Sequence, residues 1–405
     1  MQKAFAPDNF PARVGPRSFL GLALVSQTGM SFVQQGLVVM GVFFLAAYHL
    51  SLTQLGLITT ALSLGVMTSM VFVGITVDRV GPRIVLFWGA ILAAGLSSLL
   101  LAVNSYTMLL VVLFCVGISL AVVPSSGTKA VFTAFVGRPR GLVMGIRQTG
   151  VPLGAALAAW LLPRLVPQWH LDPVYLLFSL ELLVTGWAFS AVMRDWRQKG
   201  ASKPERIRLT GTHWKQLVRP ISIAFLMVSG QYILLTYSIA DLSQVHHVSV
   251  AVAGAVLALS QVGGGVGRVV LGQLSDRIGG RRPPVLALAG GLATSLAFVI
   301  GILPRTAPVW TLFLIWTLFG FGAVGWNALA LTWAGESVPI SHSGFAMSLT
   351  GTIVFLGSSV FPPLFGLLVD QTHHFATGWW ALSGLLLCAT VMTVSRGRPG
   401  AGQRT

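Results

Sequence analysis

Apolar side chains fill this chain in blocks of 20 residues or more, separated by short polar breaks. At about 1.5 Å of rise per residue, a helix of that length crosses the hydrocarbon core of a bilayer. The pattern predicts twelve helices, near 18–46, 52–76, 83–103, 106–132, 140–164, 173–194, 219–243, 249–273, 283–304, 308–334, 342–368 and 376–395. Most breaks are as short as His49–Thr53 or Asn104–Tyr106. One is long and basic, and it divides the chain into a six-helix bundle at 18–194, a linker at 195–218 and a second bundle at 219–395. Polar tails are expected at 1–17 and 396–405. The expected fold is therefore an all-α membrane protein of two six-helix halves.

Composition strengthens this reading. The chain is 54% hydrophobic and 9% charged, with a mean hydropathy of +0.80, whereas a soluble domain carries about a quarter charged residues. No cleavable leader is expected, because residues 1–17 are polar and the first apolar block is too long for a signal core. Cys115 and Cys388 both lie inside apolar blocks, which suits neither a disulfide framework nor a thiolate metal site. A net charge of +16 raises the question of nucleic acid, but 21 of the 26 Lys and Arg fall on one side of the predicted topology. That distribution is the positive-inside pattern. It puts both termini in the cytoplasm of a multi-pass inner-membrane protein and leaves lipid headgroups, not nucleic acid, as partners of the linker. The His246–His247 and His373–His374 pairs near Asp241 and Asp370 lack regular ligand spacing, so no metal is expected. No Gly-rich phosphate loop with a lysine is present, which argues against ATP-driven work. A nucleophile–base–acid set is also lacking. Neither a cofactor nor enzyme chemistry is expected.

One loop occurs twice. Gly74, Asp78, Arg79, Gly81 and Arg83 recur as Gly272, Asp276, Arg277, Gly279 and Arg281, each displaced by 198 residues (276 − 78). A constant offset of half the chain means a duplicated unit. Two parallel six-helix halves are the architecture of transporters that rock about a midplane site. The doubled loop resembles the signature of the major facilitator superfamily, Gly-x-Leu-x-Asp-Arg-x-Gly-Arg-Arg, between helices 2 and 3 and again between 8 and 9. The first copy departs at Thr76 and Pro82 and the second at Gly280. The resemblance implies a monomeric carrier working by alternating access. Asp78 and Asp276 would meet helix N-termini of the opposite half and latch the inner face. Arg140 and Arg147 are the expected partners of Asp276, and Glu336 is expected in the same network. Asp78 has no arginine opposite it and would rely on the helix dipole, hydroxyls or His342. The plain alternative is a cytosolic turn whose arginines only set topology.

Ionisable groups inside membrane helices are costly and mark function by default. The run Arg268-x3-Gly272-x3-Asp276 resembles helix 8 of the monocarboxylate and oxalate–formate branches, where an arginine binds the substrate carboxylate. A guanidinium suits that task because it stays charged and presents a planar fork. Its counterpart 198 residues earlier is Met70, so the paired arginines of nitrate carriers are absent. Arg147 lies in a run, Gly145 to Gly150, that resembles cyanate-permease-like members; it serves either the cavity or, as favoured here, the latch. Lys129 is expected to snorkel to the interface. Glu181 is the deep carboxylate of the sixth helix, with a proton-coupling role and a structural role both open. Gln34, Gln35, Gln231 and Tyr232 fall at mid-helix and are expected at the substrate site, the alternative being interhelical hydrogen bonds. Tyr237, Gln261, Trp326 and Asn327 extend the list. The expected function is proton-coupled uptake of a small, monocarboxylate-like anion. Drug or metabolite efflux is the alternative, although helix 1 lacks an acidic residue and helix 4 lacks the arginine of proton antiporters.

Overall fold

The computed structural model describes residues 14–135, 140–193, 211–339 and 342–394, apart from the side chains of 140–142 and 212. Most of the expected tails and linker lie outside these residues. Among the described residues, twelve helices are long and apolar enough to cross a membrane. They are α1 (Pro16–Ala47), α2 (Leu52–Val80), α3 (Pro82–Ala102), α4 (Tyr106–Ala134), α5 (Val143–Trp169) and α6 (Asp172–Val192) in the first half. The second half holds α7 (His213–Gln244), α8 (Val250–Arg277), α9 (Arg282–Ile302), α10 (Val309–Glu336), α11 (Ser343–Thr372) and α12 (Phe375–Val394). The seventh helix starts earlier than the predicted 219, because Leu217 is fully buried against Ala334, Val338 and Ala346 and extends the core-facing stripe.

Local chemistry sets the helix ends. At the end away from the doubled loop, Ser51 and Gln54 form a reciprocal capping box on α2, and Ser105 and Ser249 cap α4 and α8. At the loop end the chain turns through Gly81 (φ 104°), Gly279 (φ 78°) and Gly280 (φ 73°). These are values that a Cβ disfavours. The second copy's departure at Gly280 thus supplies two consecutive left-handed residues. Two helices break just before prolines: Pro124 has no N–H for the Leu120 carbonyl, and Pro152 has none for that of Gln148. The breaks fall at Ala121 in α4 and Thr149 in α5.

Helices α1 and α7 form the centre, with 72% and 83% of their apolar stretch buried, against 39% for α3, α9 and α12. Large apolar side chains left exposed, such as Trp88, Trp187, Leu288 and Leu387, lie on α3, α6, α9 and α12 and suit acyl chains. The halves meet along two seams, α2 with α11 and α5 with α8. Gly56 packs on the Pro362–Pro363 backbone in the first seam, and Gly254 on Ala159 and Pro163 in the second.

Candidate substrate-binding site

The seams close the end away from the doubled loop, here the outer end. Asp370, near the end of α11, accepts hydrogen bonds from Leu52 N (3.0 Å), Thr53 N (2.8 Å) and Thr53 Oγ1 (2.6 Å) at the start of α2. A carboxylate at a helix N-terminus satisfies donors that have no intrahelical partner. The Tyr237 hydroxyl sits between the carbonyls of Leu52 (2.8 Å) and Pro362 (2.6 Å), where its single proton serves one at a time. Deeper in, Thr60 Oγ1 donates to the Ser359 carbonyl (2.5 Å), and the hydroxyls of Thr59 and Thr236 lie 3.0 Å apart. Tyr237, expected among the substrate contacts, does not line the cleft, because its hydroxyl turns into the α2–α11 seam, two residues past Leu235 at the cleft wall.

The signature end differs. Asp78 pairs with Lys129 of α4 at 2.5 Å, and Asp276 with Arg282 of α9 at 2.7 Å. Arg282 also holds Glu336 at 3.0 Å. Every one of these pairs lies within one half, and the side chains of Asp78 and Asp276 are 66% and 70% exposed. Arg79, Arg83, Arg277 and Arg281 are exposed beside them. Gly74 and Gly272 face open space. Bonds between the halves close the outer end, and among the described residues no ion pair at the signature end joins one half to the other.

Two expectations about the latch change. Lys129 is a direct partner of Asp78 rather than a free snorkelling cation, and Asp276 takes Arg282 rather than Arg147. The Arg140 side chain lies outside the described residues. Arg147 is fully buried, with Nη1 3.2 Å from Thr128 Oγ1 and Nη2 3.1 Å from the Val123 carbonyl. Its guanidinium fills the notch left by Gly127. It faces α4 and lines neither the signature-end ion pairs nor the cleft.

Between seal and open end lies a narrow cleft at the middle of the bundle, lined by Gln35 of α1, Pro152 of α5, Gln231 and Tyr232 of α7, and Gln261 and Arg268 of α8. Both halves contribute. The Tyr232 hydroxyl faces Ser358 and Gln35. Arg268 makes two long contacts, Nε to the Val324 carbonyl and Nη1 to the Gln148 carbonyl, each 3.4 Å. The second is the oxygen that Pro152 leaves without a helical donor. Among the described residues no carboxylate pairs with Arg268, so a cation in a confined space lacks a fixed counter-charge.

Gln34 is buried beside Gln35 but does not line the cleft. Neighbouring residues on a helix point about 100° apart, so only one of the pair faces the axis. Asn327 lies outside it as well, one residue past the α10 break at Trp326. Glu181 lies elsewhere, between α6 and α1. Its carboxyl occupies the notch at Gly29 beside the Thr185 hydroxyl, with no ion-pair partner among the described residues. Ser358, Gln148 and Asp370 were not among the predicted site residues. Pro152 four residues after Gln148 was the available signal for the freed carbonyl. A larger dent of about 590 Å³ between α3 and α6, against Phe87 and Trp187, has no polar lining and faces the lipid side.

The sequence pattern of the Major Facilitator Superfamily matches residues 20–362 and 221–404. An uncharacterized MFS-type transporter of Mycobacterium tuberculosis, Rv2994, is 29% identical over 392 residues, covering 95% of this chain and 86% of the relative. The hexuronate transporter of Bacillus subtilis is 24% identical, covering 87% of this chain and 88% of its own length. Among solved structures, a bacterial homologue of the human lysosomal transporter Spinster, inward-facing and occupied, superposes with a TM-score of 0.74 at 17% identity. That match covers 94% of this chain and 97% of the other.

Proposed function

Because this chain belongs to the Major Facilitator Superfamily, we propose that it carries a small organic anion across the cytoplasmic membrane by alternating access, with Arg268 as the anion clamp. The observation that carries the reading is Arg268 itself: a guanidinium at the central cleft, shared by both halves, with no carboxylate among the described residues against it. A buried charge without a partner is strongly disfavoured, and an anionic solute supplies the missing charge. The planar fork matches a carboxylate in two parallel hydrogen bonds. The relative named for hexuronate, a carboxylate, supports the same solute class. The lining of one arginine and three carboxamides suits an anion better than an amphipathic drug, so efflux of such compounds is disfavoured.

The basic bias of the signature end supports a cytoplasmic position for that end and for both termini. In that orientation the structure is inward-open. Uptake is coupled to protons in this reading, and Glu181 is the coupling group because it is a mid-helix carboxyl with no ion-pair partner among the described residues. The chain works as a monomer, since each monomer contains both halves of the cleft.

The test is uptake of labelled carboxylates into proteoliposomes, with and without an inward proton gradient, for the wild type and Arg268→Lys. Lysine keeps the charge but loses the fork, so kcat/KM should fall by roughly tenfold or more. Unchanged anion uptake in the lysine variant overturns the clamp, and transport of cationic drugs alone overturns the anion reading.

A further inference from the structure

Three carboxamides converge on the cleft, from Gln35, Gln231 and Gln261. Gln35 is 5% exposed and Gln261 4%. The amide oxygen of Gln231 is enclosed and has no hydrogen-bond donor among the described residues, and that of Gln35 has none in the orientation in which its other end meets the Tyr232 hydroxyl. A buried acceptor left without a donor costs about 1–3 kcal/mol, so the site is incomplete in a specific chemical sense. Arg268 lacks an acceptor that carries charge, while Gln35 and Gln231 lack a donor. A halide, nitrate or a plain fatty carboxylate meets the first need and not the second, because as an anion it has no O–H to give.

A hydroxyl meets the second need in either orientation of the amide. It both donates and accepts, and a carboxamide presents one end of each kind. We infer that the solute is a hydroxylated monocarboxylate, with its carboxylate on Arg268 and its hydroxyls on Gln35 and Gln231. This rests on the anion reading above and narrows it. Placement gives the hydroxyls a second role. Arg268 and Gln231 belong to the second half and Gln35 to the first, so a solute that reaches all three ties the halves together across the site. An acid without hydroxyls is anchored to one half only.

The experiment compares affinities on the purified full chain in detergent by titration calorimetry, using two pairs of acids matched in chain length or ring size: glycerate with propionate, and glucuronate with cyclohexanecarboxylate. The wild type should bind the hydroxylated member of at least one pair roughly tenfold more tightly, the effect of one satisfied buried hydrogen bond. Gln35→Met and Gln231→Met keep the length of the side chain and remove its polarity. Each should erase that preference while leaving affinity for the hydroxyl-free acid within about threefold, the range in which the anion clamp and the fold are intact. Equal binding of both members by the wild type overturns the hydroxyl inference and leaves the anion reading standing. Parallel loss of both members in the methionine variants overturns it too, since it shows a structural role for the amides. Binding of neither kind of acid, or binding of both that is insensitive to Arg268→Lys, removes the anion reading and this inference with it.

Discussion

Replacing Asp370 should unseal the outer end. Its carboxylate receives three hydrogen bonds, at 3.0, 2.8 and 2.6 Å, from the first residues of α2, and donor and acceptor belong to opposite halves. Bonds of this kind contribute about 1.5–3 kcal/mol each when one partner is charged. Asp370 is only half-buried, so solvent screening reduces that sum to about 3 kcal/mol. Asn keeps one acceptor oxygen and loses the charge, a loss of about 1.4 kcal/mol, or tenfold in the equilibrium between states. Ala removes all three bonds, about 3 kcal/mol or roughly a hundredfold. The contact exists only while the outer end is closed, so the lost energy appears as a shift toward the outward-open state, not as general instability. The assay is the interspin distance between labels at Asn104→Cys and Thr306→Cys, exposed positions on outer loops of opposite halves, with Cys115 and Cys388 changed to Ser. A longer-distance population should appear in Asp370→Asn and grow in Asp370→Ala. If both variants keep the wild-type distribution, the outer seal does not depend on Asp370 and the reasoning fails.

Glycines on the two ends of the seams should respond oppositely. A side chain at Gly366 meets the Leu52 carbonyl and the Tyr237 hydroxyl, so Gly366→Val should favour outward-open molecules in the same distance measurement; Gly272 faces open space, so Gly272→Val should leave the present state undisturbed. His246, in the loop before α8, is held below the ordinary histidine value, chiefly by burial and also by the neighbouring His247. The folded protein thus binds fewer protons than the unfolded chain below about pH 6.5. Stability from the neutral ring is present above that value and is lost as pH falls through it, so Tm should drop between pH 7 and 5 and drop less in His246→Gln. Glu181→Gln should abolish stimulation of uptake by a proton gradient while sparing exchange of labelled for unlabelled solute; a variant that still responds to the gradient removes Glu181 from coupling.

Twelve spans were legible because bilayer thickness imposes one length on every crossing helix, and that length is written directly as apolar runs. Depth was legible for the same reason. Arg268, Gln35, Gln231 and Tyr232 share a level within their helices, and the structure gathers them in one cleft. Facing was not legible. Gln34 and Gln35 share a depth and differ by a rotation that only packing fixes. Arg147 shows the same gap: its run resembled an anion site, yet the space that admits a guanidinium is the notch at Gly127, 20 residues earlier in the chain. Partners far apart in sequence were equally hidden. Asp78 and Lys129 are separated by 51 residues, and Asp370 and Leu52 by 318. Apolar helices register such pairs only by an isolated charge whose partner the sequence does not name.

A duplicated scaffold offers a control on which polar groups the fold requires. Both halves need the turn at the signature loop, and both have glycine with positive φ there. Both seams need close backbone approach at the outer end, and both supply it with glycine against proline. Arg268 has no such twin, since the equivalent position of the first half is Met70. Asp370 has none either. Gly344 of α11 corresponds to Gly141 before α5, an offset of 203 (344 − 141), which sets Pro167 opposite Asp370. The α5–α8 seam therefore closes without a carboxylate, and α8 is capped by its own Ser249. A group that one half carries and the other does without is not needed to build a half. By that criterion the charge on Arg268 and the lock at Asp370 are features of the working carrier, and substitutions at either should change its cycle more than its fold.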